Sequence, residues 1–364
     1  MKYIKELSRY IVAIVFIFSS IVKAVDPVGV SLKVKEYLLA YNAPDFGDFS
    51  LVIAIALCAI EFLCGIAILT TVKIRFFSFI ALLLTLMFTV ITYLSAKYDL
   101  VKDCGCFGDA VHLSAWGTFA KNVVLIVLCF IVYYYRKSYR QIINKRVEPL
   151  LTLFFLLLIV GLSVYSYFYL PPLDFTDFKR GTDLNVAASG NYLKYKTEVV
   201  YEKNGVSEVF DLENLPDSTW TFVETISTLV GGDERDASKT RFVIVDEIQE
   251  PVTEDVLGMS SAVLLSVYKD NLSEKYFNKL SDFVESNSLK DTPSAIYLLS
   301  SFTPEKTLQI LSPLSESLNK WQSEGLFTIL YSDYKTLITL NRSNGGATFL
   351  NDGVVVKKIS ALQL

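Results

Sequence analysis

The chain divides into an apolar part and a polar part. The first 170 residues hold five long apolar runs, at 8–24, 50–72, 76–94, 116–135 and 150–170. Each run is near the roughly 17–25 residues that a helix needs to cross a bilayer. We therefore predict five membrane-spanning helices, with Ser114 as the N-terminal cap of the fourth. Asp26-Pro27 ends the first run, and the segment 31–41 after it predicts either an interfacial helix with Ser31 as a candidate cap or an ordered outer loop.

After residue 170 the pattern changes to short strands and amphipathic helices. Two strands, at 195–202 and 206–212, flank an Asn204-Gly205 turn and predict a hairpin. Further strands are predicted at 262–267, 295–299 and 327–331, with helices at 273–286, 304–322 and 334–340 and a closing hairpin at 347–359. Strands and helices in alternation indicate a small α/β domain with a mixed sheet.

Composition and charge agree with this division. Of the 364 residues, 52% are hydrophobic, and the mean hydropathy of +0.40 is too high for an ordinary soluble protein. The lipid bilayer is therefore an expected partner. The net charge of −4 argues against a general polyanion binder, so no nucleic-acid partner is expected.

The basic residues predict the orientation in the membrane. Loops on the side of the N-terminus carry ten Lys or Arg residues, and the opposite loops carry five. The positive-inside rule then places the N-terminus in the cytoplasm, and the loop at 99–109 and the C-terminal region in the periplasm of a bacterial inner-membrane protein. Residues 1–24 also have the pattern of a signal peptide cleaved after Ala24, which would leave the rest of the topology unchanged.

A Cys104-Gly105-Cys106 sequence in the polar loop is the main candidate site. Two cysteines one residue apart are near the reach of a disulfide, and such a ring is strained and therefore oxidising. The nearby Asp103 and Asp109 oppose thiolate formation. Three interpretations stay open: a redox pair, a structural disulfide that pins the loop, and a soft-metal site.

Glu61 is the second candidate, because it lies in the middle of an apolar run. A carboxylate in hydrocarbon must be protonated, paired or facing a cavity. Helix geometry places Cys58 and Cys64 on the same face, and Lys23 or Lys121 is a candidate ion-pair partner. The functional interpretation is an intramembrane proton site or part of a small-molecule pocket; the structural one is a buried helix–helix contact, with the cysteines as packing residues.

His112 is the one histidine of the chain, six residues after Cys106. It is either a proton acceptor for the thiols or an interfacial polar residue. A single histidine excludes a histidine-based metal centre, and apart from the soft-metal interpretation of the cysteine pair no metal site is predicted.

Several of these residues together carry a resemblance to a known family. The membrane part resembles the DoxX/MauE-type helical-bundle proteins in Ser20-x-x-Lys23-x-x-Asp26-Pro27, Glu61, Cys104-Gly105-Cys106-Phe107-Gly108-Asp109 and Lys121-Asn122. The resemblance implies a four-helix membrane bundle at 1–146, followed by a fifth helix at 147–172 and a linker at 173–190. It also implies a role in extracytoplasmic thiol–disulfide chemistry or protein maturation.

The remaining region, 191–364, resembles a thioredoxin-like domain that lacks the usual chemistry. The segment 268–272, where such domains carry Cys-x-x-Cys, contains no sulfur, and Gly345-Gly346 replaces the expected cis-proline. We therefore expect a binding or structural module that does not exchange disulfides.

Three functions follow from these patterns. The first is a membrane accessory of thiol–disulfide chemistry that uses Cys104 and Cys106, with a quinone near Glu61 or another protein as electron partner. The second is an assembly protein that binds a periplasmic client through the cysteine-free domain. The third is a small-molecule or metal transporter that uses the Cys58, Glu61 and Cys64 face.

Overall fold

A computed structural model describes residues 2–98, 108, 110–111, 113–189, 194–203, 206–211, 216, 219–231, 240–290 and 293–364. Five helices in this part of the chain are long and apolar enough to cross a membrane, which confirms the predicted number. The membrane part contains the helices α1 (Lys2–Val25), α2 (Pro27–Ala40), α3 (Ser50–Thr70), α4 (Ile74–Tyr98), α5 (Ala115–Tyr134) and α6 (Glu148–Tyr169). All except α2 are of spanning length.

Helix α2 is a short element that follows α1 after a sharp bend. Asp26 caps its N-terminus by accepting a hydrogen bond from the Gly29 N–H at 2.9 Å, and Pro27 occupies the first helical position. The sequence suggested Ser31 as the cap, and this was wrong. Ser31 lies inside the helix, where its hydroxyl donates to the Val28 carbonyl.

Helix α1 is central to the membrane bundle. It packs against α3, α5 and α6, while α4 packs against α5. The approach of α1 to α3 is close because Gly65 has no side chain: a Cβ there would lie 2.7 Å from the Ile17 side chain and 3.1 Å from the Ala13 carbonyl oxygen. Small residues allow this kind of backbone approach between membrane helices.

The C-terminal part forms an α/β domain around a mixed five-stranded sheet. Its elements are α7 (Leu184–Ser189), α8 (Thr253–Leu257), β4 (Ser261–Val267), α9 (Glu274–Ser288), β5 (Ala295–Ser300), α10 (Pro304–Ile310), α11 (Ser315–Ser323), β6 (Phe327–Tyr331), α12 (Tyr334–Leu340), β7 (Gly346–Asn351) and β8 (Val354–Ile359). The strand order is β6-β5-β4-β7-β8. Strands β4, β5 and β6 are parallel, and β7 and β8 are antiparallel to their neighbours.

The predicted strands and helices of this domain are confirmed, with one exception. The helix predicted at 304–322 is two helices, because a 3₁₀ turn at Ser312–Leu314 containing Pro313 interrupts it. Both faces of the sheet are covered by apolar side chains. Phe178, Leu184 and Ala187, from the segment that the sequence suggested as a linker, lie in one of these cores.

A separate antiparallel sheet precedes the five-stranded one. It consists of β1 (Lys194–Lys203), β2 (Val206–Asp211) and β3 (Thr221–Gly231), in the order β2-β1-β3. The predicted hairpin is confirmed by the pairing of Lys203 with Val206, whereas β3 was not predicted. The turn residues Asn204 and Gly205 lie outside the described residues.

Candidate functional site

The cysteine pair of the polar loop falls outside the described part of the chain. Cys104 and Cys106 share this position with Asp103, Asp109 and His112. The segment is bounded by α4, which ends at Tyr98, and by α5, whose N-terminus is capped by the predicted Ser114.

Gly108 locates one point of this loop relative to the bundle. It is buried, and a Cβ at its position would lie 3.7 Å from the Val22 side chain. Its φ of +55° lies in the left-handed region that glycine adopts without strain. Gly108 therefore packs against α1 at Val22, the residue before Lys23.

Glu61 forms a buried ion pair with Lys23. The Lys23 Nζ lies 2.7 Å from both carboxylate oxygens, and the two side chains are only 8% and 4% exposed. The Ser19 hydroxyl donates to Glu61 Oε2 at 3.2 Å. Lys23 and Ser19 lie one helical turn apart on the face of α1 that packs against α3, which explains why both reach the same carboxylate.

A small cavity adjoins this ion pair. Its volume is about 30 Å³, and its lining includes Ser19, Lys23, Glu61, Lys121 and Asn122. The volume gives room for about two water molecules, far less than the few hundred Å³ that a small organic ligand occupies. The described residues around Glu61 therefore do not fit a quinone.

Of the two lysines that the sequence offered to Glu61, the structure selects Lys23. The ammonium group of Lys23 also lies 5.4 Å from the centre of the Phe88 ring, which adds a cation–π contact from α4. Lys121 lines the cavity from α5. The neighbouring Asn122 donates to Thr92 of α4 at 3.3 Å, and sequence reasoning gave this pair no role.

The cysteines near Glu61 lie in separate apolar clusters. The Cys58 thiol donates to the Ser20 carbonyl at 3.0 Å and packs with Phe62 and Ile159. Cys64 is completely buried in another cluster that includes Cys129. Among the residues that the structure describes, no group of three or more His, Cys, Asp or Glu side chains could hold a metal ion.

A second buried ion pair joins the membrane bundle to the α/β domain. Arg342 donates to Asp26 Oδ2 through Nε at 3.0 Å and Nη2 at 2.8 Å. Both side chains are nearly inaccessible to solvent, and Val28 of α2 belongs to the core of the α/β domain. The sequence marked Asp26 as a site residue but gave no role to Arg342, because the two residues lie 316 positions apart.

The junction of β4 and α9 is held by hydrogen bonds. Asn344 Oδ1 accepts the backbone N–H groups of Tyr268 and Lys269 at 2.9 and 3.0 Å, and its Nδ2 donates to the Lys269 carbonyl. No peptide bond between described residues is cis, including the Gly345-Gly346 bond. This junction positions the α9 N-terminus beside the end of α6.

The fold and these contacts define a helical-bundle membrane protein that carries an α/β domain at one end. A family model for the methylamine utilisation protein MauE matches residues 1–135, and a model for a domain of unknown function, DUF8463, matches residues 195–231. The first 135 residues are thus MauE-like, in agreement with the several apolar helices found there. No curated protein and no solved structure matches the chain.

Proposed function

We propose that this protein is a membrane-embedded accessory of extracytoplasmic thiol–disulfide chemistry or protein maturation. Cys104 and Cys106 are the exchanging pair, and the Lys23–Glu61 pair is the intramembrane proton site. The observation that carries this proposal is the packing of Gly108, in the cysteine loop, against Val22 of α1, the residue before Lys23 of the buried ion pair. The MauE similarity over residues 1–135 supports a membrane accessory role.

The proposed exchange is a two-electron reaction. A client thiolate attacks one sulfur of the oxidised Cys104–Cys106 pair, which breaks the S–S bond, forms a mixed disulfide and releases the other cysteine as a thiolate. A second client thiolate then attacks the mixed disulfide, so that the client is oxidised and the pair leaves as two thiolates, which take up two protons. A disulfide of another extracytoplasmic protein accepts the two electrons and restores the pair by the same exchange.

In this proposal, other residues of the loop control the protonation of the two cysteines. His112, six residues after Cys106, accepts and returns protons at the loop, whereas Asp103 and Asp109 raise the population of the thiol form. In this proposal the N-terminus is cytoplasmic and the α/β domain is a periplasmic thioredoxin-like module without active-site cysteines. Because the segment 268–272 of this domain contains no cysteine, the proposal assigns the exchange to the membrane loop.

Trapping of a mixed disulfide tests the proposal. In the Cys106→Ala variant of the full chain, Cys104 has no internal partner, so its thiolate attacks the disulfide of the electron-accepting protein and stays linked to it. We expect this mixed disulfide to accumulate in cells and to disappear on reduction, as seen on non-reducing gels. Cys129→Ala, which removes a buried packing thiol, is the matched control and should trap nothing. If neither Cys104→Ala nor Cys106→Ala traps a protein in a mixed disulfide, and the wild-type pair is fully reduced in cells, the proposal is wrong.

A second candidate function, a client-binding scaffold, is favoured by the buried Asp26–Arg342 contact, which holds the α/β domain firmly on the bundle. A scaffold needs this rigidity but not the cysteines. Chemical cross-linking of the Cys104→Ser/Cys106→Ser double variant distinguishes the two functions. Undiminished capture of the same client by this variant supports scaffolding, and loss of capture supports exchange.

A further inference from the structure

A cavity lies where α6 meets the α/β domain. Its volume is about 440 Å³, and its wall combines Tyr167 and Phe168 of α6 with the β4–α9 junction of the domain. This size is within the range of small-molecule sites. Tyr167 and Phe168 belong to the last turn of a membrane-spanning helix, so the cavity lies at the level of the lipid headgroups.

The cavity is positively charged. Its lining contains Lys269, Lys275, Lys279 and Arg342, and no Asp or Glu is present among the described lining residues. Arg342 is paired with Asp26, and Lys279 donates to the Leu362 carbonyl. Burial and then the nearby Lys35 lower the pKa of Lys269, so a further cation on α2 faces the same region.

Two lysines of the cavity are not paired with an acidic side chain of the described chain. The Lys269 ammonium lies 5.9 Å from the centre of the Tyr167 ring, and Lys275 is exposed in the first turn of α9. Ser273 caps this helix, and helix N-termini favour anions because their first N–H groups are unpaired. Both lysines are therefore placed to contact one anion.

The rest of the lining is apolar. Val28, Leu272, Ala361 and Leu362 contribute hydrocarbon surface next to Phe168, which is 49% exposed on α6. A free inorganic anion gains no binding energy from this apolar surface, whereas a lipid presents a charged headgroup and an apolar body together. The position beside a membrane-spanning helix favours the lipid.

We propose that this cavity binds the phosphate headgroup of an anionic phospholipid, contacted by Lys269 and Lys275, with the acyl chains along Phe168. This site is independent of the cysteine loop. It ties the α/β domain to the membrane surface in addition to the covalent connection through α6.

Lipid binding to the purified full-length protein tests this proposal. Native mass spectrometry of the delipidated protein, titrated with phosphatidylglycerol or phosphatidylcholine, should show tighter retention of phosphatidylglycerol. Each lysine near a lipid surface contributes about a fivefold change in affinity, so Lys269→Gln/Lys275→Gln should weaken phosphatidylglycerol binding about 25-fold. The matched control is Lys290→Gln/Lys320→Gln, which removes two lysines outside the cavity lining.

Circular dichroism should show that both double variants keep the fold of the domain. Equal retention of both lipids, or equal phosphatidylglycerol affinity in the cavity and control variants, overturns the proposal. Displacement of the lipid by millimolar inorganic phosphate, or saturable binding of an acidic peptide in preference to the lipid, also overturns it. Selective lipid retention that depends on both lysines confirms it.

Discussion

At the scale of single residues, the notable feature is a carboxylate in the apolar bundle. Glu61 is tolerated there because Lys23 contacts both of its oxygens and Ser19 donates a further hydrogen bond. A buried ion pair contributes little net stability, since the loss of water offsets the attraction, but removal of one partner leaves an uncompensated charge. The pair is therefore more informative about function than about stability.

This asymmetry gives the first prediction. Lys23→Met and Glu61→Leu should each lower the free energy of unfolding by about 3–5 kcal/mol, because each leaves a buried group without its partner. The double variant should be less destabilised than the sum of the two. Thermal unfolding in detergent followed by circular dichroism measures all three, and Lys145→Met, which removes an exposed lysine, is the control. Additive effects would mean that the two residues do not interact.

A second ion pair at this scale predicts a pH dependence. Burial would raise the pKa of Asp174, but the charge of Lys358 and the hydrogen bonds from Lys358 and Thr176 outweigh it, so the pKa is lowered. Because the folded-state pKa is depressed, the pair stabilises the fold at pH values above the ordinary Asp pKa of about 3.9. This stability is lost as the pH falls below that value.

Asp174→Asn should therefore flatten the stability curve on the acid side, as measured by unfolding midpoints between about pH 2 and pH 6. The exposed Asp282→Asn on α9 serves as the control and should leave the curve unchanged. If both variants retain the wild-type acid slope, the Lys358 contact does not hold the carboxylate in its charged form.

The sequence predicted that Glu61 needs a partner, but it could not show which lysine that partner is. A lone Glu in an apolar run requires a partner, and the sequence narrowed the choice to Lys23 or Lys121. It could not select between them, because the rotation of each helix is set by packing against its neighbours. Gly65 permits the close approach of α1 to α3 that brings Lys23 to Glu61.

At the scale of elements, apolar periodicity predicted positions well and interruptions poorly. Strand β6 and helix α12 have the predicted bounds, because a buried strand and an amphipathic helix follow their patterns directly. The break at Ser312–Leu314 was missed, since the apolar spacing continues through it. The start of α2 was also missed, because Asp26-Pro27 was interpreted only as the end of α1 and Pro27 in fact begins a helix.

Gly29, near the start of α2, provides a prediction about stability. Alanine is about 1 kcal/mol more favourable than glycine inside a helix. Gly29→Ala should nevertheless destabilise the protein, because its Cβ would lie 2.5 Å from Asp26 Oδ2 and 2.9 Å from Arg342 Nη2. The matched control is Gly161→Ala in α6, where no heavy atom lies within 4 Å of the added Cβ. Thermal midpoints should fall for the first variant and stay level or rise for the second; equal shifts would contradict the described contact.

At the scale of the whole molecule, the end of α1 and the start of α2 carry two buried ion pairs that face different parts of the protein. Lys23 faces the bundle interior and pairs with Glu61, whereas Asp26, three residues later, faces the α/β domain and pairs with Arg342. Both pairs lie at the same end of the bundle as the loop that contains Gly108. No local pattern could predict this arrangement, because Arg342 is distant in sequence and its loop has no periodicity.

The docking of the α/β domain should therefore depend on Arg342. Arg342→Met leaves Asp26 buried without its cation. The backbone hydrogens of α2 and of the loop that contains Arg342 should therefore exchange faster, while the core strand β4 keeps its protection. Hydrogen exchange with mass spectrometry on the full chain measures this, and Lys335→Met, which removes an exposed contact to Glu36, is the control. Unchanged protection of α2 in Arg342→Met would show that Val28 and its apolar neighbours hold the domain without the ion pair. Faster exchange throughout the domain would instead show that the pair stabilises the whole α/β fold and that the contact with the bundle is part of one cooperative unit.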